Sequence, residues 1–90
     1  MEVRSRIVVR GLVQGVGFRW FVHRKAAALG LNGWVQNAAD GSVSIEAQGD
    51  RSLVEELLRE VKVGPRSAQV RDLQVEWLAP EHPGTPFHIR

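Results

Sequence analysis

The sequence predicts an α+β domain of the ferredoxin-like, split-βαβ type (βαββαβ), an antiparallel sheet with two helices on one face. Three observations lead there. Apolar positions alternate between strand-like and helix-like spacing in the order β-α-β-β-α-β. Asp40-Gly41 parts the second strand from the third, and such a pair is a hairpin signal because glycine accepts the positive φ of primed turns. Gly30 and Gly64-Pro65 punctuate the ends of the two helical stretches. A chain of 90 residues fits one domain with a modest core, so residues 1–90 read as a single domain.

The first strand spans Val3 to Arg10, with Ile7 and Val9 on one face and Val8 on the other. Phe18 to Leu29 forms the first helix, where Phe18, Phe21, Val22, Ala26 and Leu29 recur at helical spacing and Gly30 caps the end. Asn32 to Ala38 and Gly41 to Gln48 are the second and third strands, the latter alternating Val43 and Ile45 against Ser42, Ser44 and Glu46. Ser52 to Val63 is the second helix, with Leu53, Leu57 and Val61 on its apolar stripe and Val54 and Leu58 beside it. Asp50 or Ser52 caps its start, Ser52-x-x-Glu55 fits a capping box, and Glu55 with Arg59 makes an i,i+4 pair. Ala68 to Leu78 is the fourth strand, and Phe87 to Arg90 is placed to add a short edge strand.

Composition narrows the function classes. There is no cysteine, hence no disulfide, no thiol nucleophile and no thiolate metal site, which suits a reducing, cytoplasmic setting. No run of eighteen apolar residues and no basic-then-apolar leader is present, so neither a membrane span nor a secretion signal is expected. His23, His82 and His88 lack zinc-ligand spacing, and no metal is expected. The net charge is +2, with Arg4, Arg6, Arg10, Arg19, Arg24 and Lys25 gathered in the first third. Such charge can steer an anion. For all of these except Arg19, a solvated face that discourages edge pairing is the preferred reading.

One stretch carries chemistry: Gly11-Leu-Val-Gln-Gly-Val-Gly-Phe-Arg19, leaving a strand and opening a helix. Closely spaced glycines let backbone approach a ligand, and a helix start offers unpaired N–H groups and a positive dipole. Arg19 adds a permanently charged fork to this anion hollow. No Gly-Lys-Ser/Thr follows, so the loop is no Walker A motif, and its spacing is not that of a dinucleotide fingerprint. A tight connection with no ligand is the structural alternative. Asn37 lies late in the second strand, which runs in the same direction as the first and so ends at the same sheet edge as the loop. Its amide can accept from and donate to a water without repelling phosphate; a turn-stabilising role is the alternative.

These residues identify a resemblance. Val9-Arg-Gly-Leu-Val-Gln-Gly-Val-Gly-Phe-Arg19 resembles the first signature of the acylphosphatases, and Gly33-Trp-Val-Gln-Asn-Ala-Ala-Asp-Gly-Ser-Val43 the second, both ungapped. Gly64-Pro65 and the Phe87-His-Ile-Arg90 ending are similar as well. The resemblance implies a ferredoxin-like fold and hydrolysis of acyl phosphates such as acetyl, carbamoyl or succinyl phosphate to a carboxylate and inorganic phosphate, without metal or other cofactor. It implies that backbone N–H groups of Gln14, Gly15, Val16, Gly17, Phe18 and Arg19 cradle the phosphoryl group, that the Arg19 guanidinium binds it, and that Asn37 positions the attacking water. The implied partner is a small-molecule acyl phosphate bound by a monomer, with no nucleic acid and no membrane. Family members often carry a tyrosine near the C-terminus, whereas this chain has none, a departure that touches the packing of the last strand.

Two alternatives stand beside this reading. A non-catalytic ferredoxin-like ligand- or RNA-binding module needs aromatic residues on the central strands, and Arg6-Ile-Val-Val-Arg10 supplies none. A regulatory domain like that of larger hydrogenase-maturation proteins is disfavoured by a chain of 90 residues. Trp20 has two readings, a cover for the site mouth or a residue packed beneath a neighbouring loop, and the usual burial of Trp favours packing.

Overall fold

The computed structural model describes residues 1–90, with the elements β1 (Glu2–Leu12), α1 (Phe18–Ala28), β2 (Asn32–Asn37), β3 (Val43–Asp50), α2 (Arg51–Val63), β4 (Gln69–Leu78) and β5 (His88–Ile89). The sheet order is β4-β1-β3-β2-β5. Antiparallel ladders join β1 to β3, β1 to β4 and β2 to β3, so β1 and β2 run the same way, as the split-βαβ topology requires. Strand β5 lies parallel to β2, which makes the sheet mixed rather than wholly antiparallel. The reason is the route of the chain. After β4, at one edge, the segment 79–86 crosses the open face of the sheet, exchanging hydrogen bonds between Glu81 and Gln48 on β3. It reaches β2 where Thr85 accepts from the Gly33 N–H, and there it pairs along the opposite edge.

The two helices cover the other face. Ile7 and Val9 of β1, Val35 of β2 and Val43, Ile45 and Ala47 of β3 meet Phe18, Phe21, Val22 and Ala26 of α1 and Val54, Leu57 and Val61 of α2. Each large aliphatic or aromatic residue buried here contributes about 1.5–3 kcal/mol, and this layer packs α1 over β2. The apolar stripe of α2 differs from expectation: Val54, Leu57 and Val61 form it, while Leu53 lies at its margin in the first turn and is 36% exposed.

Local signals were followed with small displacements. Asp50 alone caps α2, its carboxylate accepting from the Ser52 N–H at 3.2 Å and from the Ser52 hydroxyl. The capping box with Glu55 does not form. Glu55 reaches back to Arg51 at 3.2 Å rather than forward to Arg59, and the Arg51 guanidinium also lies over the Trp77 ring, 4.7 Å from its centroid. At the end of α1, Leu29 is the cap and Gly30 follows it in the left-handed region at φ 69°. Arg4 departs further from its expected solvated position. The crossing segment covers it to 4% exposure, and its guanidinium pairs with Glu46 at 2.7 Å while also bonding Gln48.

Candidate functional site

Between β1 and α1 the chain turns through residues 13–17 with Gly15 at φ 74° and Gly17 at φ 77°. Any residue with a Cβ would be strained in this left-handed region, so both glycines are required by the turn itself. Gly17 caps α1 without a side-chain hydrogen bond. The consequence is visible in the backbone bonding: none of the amides from Gln14 to Trp20 donates to another backbone group, and Phe21 is the first to do so, to Gly17. Unpaired N–H groups in close succession at a helix start form a nest for an anion, reinforced by the helix dipole.

Three long-range hydrogen bonds hold this loop in shape. The Gln14 side-chain amide donates to the carbonyls of Ala38 and Ser42, both at 2.8 Å, which fastens the loop to the β2–β3 turn. The Ser67 hydroxyl donates to the Val16 carbonyl at 2.7 Å from the connection between α2 and β4. In a planar trans peptide the C=O and N–H point in opposite directions. Turning the Val16 carbonyl towards Ser67 therefore turns the Gly17 N–H to the other side.

The hollow so formed is about 180 Å³, several times the ~30 Å³ that a water occupies in the liquid. Gly15, Gly17, Phe18 and Arg19 line it from the loop and helix start, Asn37 from the end of β2, and Val13 and Trp20 complete the wall. The sequence-predicted residues Arg19 and Asn37 thus face one cavity. Asn37 pairs with Val43 and shares the helix-side face of the sheet with Val35, which is what brings it beneath the loop. Gln14 and Val16 stand outside the lining, and their anchored groups are the side chain and the carbonyl described above.

Arg19 is the one charged side chain in the lining, so the cavity favours an anion. Its guanidinium donates to the main-chain oxygen of Arg90 at 3.1 Å, which fixes it from the C-terminal side of the sheet. The nearest acid on the β2–β3 turn, Asp40, is directed elsewhere. It accepts from the Ser42 hydroxyl at 2.6 Å and the Ser42 N–H at 3.0 Å, and these bonds hold its carboxyl below the ordinary range. No group of three or more His, Asp or Glu side chains gathers here or elsewhere in a metal-like cluster. No helix is long and apolar enough to cross a membrane.

Sequence reasoning favours a buried Trp20, yet it lines the cavity and is 64% exposed. Its position next to Arg19 was the available signal; the general burial of Trp outweighed it. The face of the central strands opposite the helices carries Arg4, Arg6 and Val8 of β1 beside Ser44, Glu46 and Gln48 of β3, partly covered by the 79–86 segment. It offers no aromatic platform of the kind an RNA-binding sheet uses.

The sequence model of the family described as Acylphosphatase matches residues 5–89. The acylphosphatase of Chlorobaculum tepidum is 51% identical over 75 residues, 83% of this chain and 82% of the relative. That of Moorella thermoacetica is 47% identical over 88 residues, 98% of this chain and 94% of the relative. Among solved structures, the crystal structure of acylphosphatase from Bacillus subtilis superimposes with a TM-score of 0.94 at 38% identity, covering 98% of both chains.

Proposed function

Because this chain belongs to the acylphosphatase family, its reaction is the hydrolysis of acyl phosphates, and we propose that the loop amides, Arg19 and Asn37 divide that reaction between them. The amides from Gln14 to Arg19 bind the phosphoryl oxygens, and the Arg19 guanidinium neutralises charge on the same group. Asn37 holds a water by its amide with a lone pair aimed at phosphorus. The water oxygen forms the new P–O bond while the bond from phosphorus to the acyl oxygen breaks and its electron pair leaves with the carboxylate. The water's proton passes to a phosphate oxygen.

So small a set suffices for physical reasons. Phosphoryl transfer proceeds through a loose transition state, so catalysis is mostly positioning and electrostatic stabilisation. A carboxylate leaves without needing a proton, since such groups are ionised near neutral pH. Preorganised N–H donors aimed at developing charge supply the rest. One observation carries the assignment: backbone amides with no backbone acceptor stand in the wall of the same cavity that Arg19 and Asn37 enter.

The test is hydrolysis of benzoyl phosphate in ¹⁸O-labelled water with EDTA present. Substrate loss above background, with the label recovered in inorganic phosphate, supports attack at phosphorus without a metal. Label in benzoate would place the attack on the carbonyl carbon and remove the role given to Asn37. Loss of turnover on adding EDTA would overturn the metal-free scheme.

A further inference from the structure

The cradle, Arg19 and Asn37 meet only the phosphoryl end of a substrate, which leaves the acyl group without an assigned contact. We propose that Trp20 is the acyl-binding residue, a flat indole wall at the cavity rim that selects acyl phosphates with a planar aromatic acyl group. This inference rests on the reading of the site given above.

Three observations point to it. Trp20 follows Arg19 directly on the first turn of α1 and lines the same cavity while keeping 64% of its surface exposed. An acyl phosphate anchored by its phosphoryl group must project its acyl substituent one bridging oxygen outward, past this rim. The indole is also braced. His23, one turn further along α1, meets it edge-to-face with centroids 5.8 Å apart and planes at 89°. The imidazole is packed in turn on buried Phe87, 6.2 Å away. Its Nδ1 is buried with no hydrogen-bond partner, so ring packing is what this imidazole supplies.

An exposed indole braced from behind presents its remaining surface to solvent and to whatever projects from the cradle. Rigid aromatic surfaces gain stacking with planar partners beyond the apolar area they bury, and lose little conformational freedom in doing so. A methyl group on the acyl carbon offers far less surface to such a wall than a phenyl ring does.

The test separates binding from turnover with stable analogues in which CH₂ replaces the bridging oxygen. Affinities of acetonylphosphonate and phenacylphosphonate are measured by calorimetry for the wild type, Trp20→Ala, Trp20→Phe and the remote control Trp77→Ala. The wild type is expected to bind the phenacyl compound about fivefold to tenfold more tightly than the acetonyl compound. Trp20→Ala should erase most of that gap, Trp20→Phe should retain part, and Trp77→Ala should retain all of it. The ratio of kcat/KM for benzoyl over acetyl phosphate should fall by a similar factor in Trp20→Ala. A gap that survives Trp20→Ala, or that Trp77→Ala erases equally, overturns the proposal. Erasure of the gap in a protein that hydrolyses neither substrate would uphold the indole wall and overturn the hydrolytic reading. Hydrolysis with an unchanged ratio would overturn the indole wall alone.

Discussion

Removing Asn37 and removing the Arg19 charge should affect different kinetic constants, because the proposed scheme sets the two side chains against different parts of the reaction. Asn37 is exposed at the end of β2 and takes part in none of the protein's side-chain hydrogen bonds. Asn37→Ala therefore leaves the fold and the loop amides as they are. It removes a contact that matters only once water attacks, comparable to loss of one preorganised polar group, and kcat is expected to fall about 10²–10³-fold. Inorganic phosphate, acting as a competitive inhibitor, should keep its Ki within a factor of about two. Arg19 lines the cavity and bonds the Arg90 main chain, so Arg19→Gln removes the sole charged group from the wall. Hydrogen bonds to charged partners are worth about 1.5–3 kcal/mol, so phosphate Ki should rise at least about tenfold and kcat/KM should fall further still. The assay is steady-state hydrolysis of benzoyl phosphate in EDTA, with phosphate titrated as inhibitor and thermal melts run on each variant. If Asn37→Ala keeps wild-type kcat, it does not position the water. If Asn37→Ala weakens phosphate as much as Arg19→Gln does, the division of labour between them is wrong.

Three further outcomes follow from the same geometry. Ser67→Ala deletes the donor that holds the Val16 carbonyl, and a lost hydrogen bond of about 1 kcal/mol should raise phosphate Ki about fivefold, with Ser67→Thr restoring it; an unchanged Ki would show that the bond does not orient the loop. Leu57 is fully buried in the core, so Leu57→Ala should cost about 3 kcal/mol, near 15 °C in Tm for a domain of this size by calorimetry, while a loss below 1 kcal/mol would contradict its place there. Asp50 caps α2, and bonds from Ser52 together with the chain's amino terminus hold its carboxyl down to about 2. A carboxyl depressed in the folded state stabilises above its unfolded value, about 3.9, and that contribution is lost as pH falls towards 2. The Tm advantage of wild type over Asp50→Asn should thus shrink between about pH 4 and pH 2; a gap independent of pH in that window would remove the charged cap from the account.

What could be read in advance was local or periodic. The glycines that turn the loop, the helix that starts at Phe18 and the Asp40-Gly41 hairpin each depend on neighbours in sequence, and β1 and β2 running together followed from element order. Arg19 and Asn37 were legible for that reason: each sits at a predictable end of a predictable element. The parts that stayed hidden are joined across the chain. Gln14 reaches Ala38 and Ser42, Ser67 reaches Val16, and no spacing rule links residues that only the finished fold brings together. The sequence leaves Arg4 in solvent because nothing in β1 announces that residues 79–86 will cross above it, and that crossing is also what turns the last strand parallel to β2.

The same division has a functional meaning. A phosphoryl cradle needs amides held still before the substrate arrives, since donors that must reorganise lose much of their electrostatic effect. Glycines give this loop its shape but not its rigidity, because they are the least constrained residues in the chain. Rigidity comes from elsewhere: from the β2–β3 turn through Gln14, from the α2–β4 connection through Ser67, and from the core through Phe18, which is 1% exposed. On the proposed reading, a motif of glycines and one arginine therefore specifies what can be bound. The fold around it specifies how steadily it is held, and the Ser67→Ala and Asn37→Ala variants separate these contributions, one through affinity and the other through turnover.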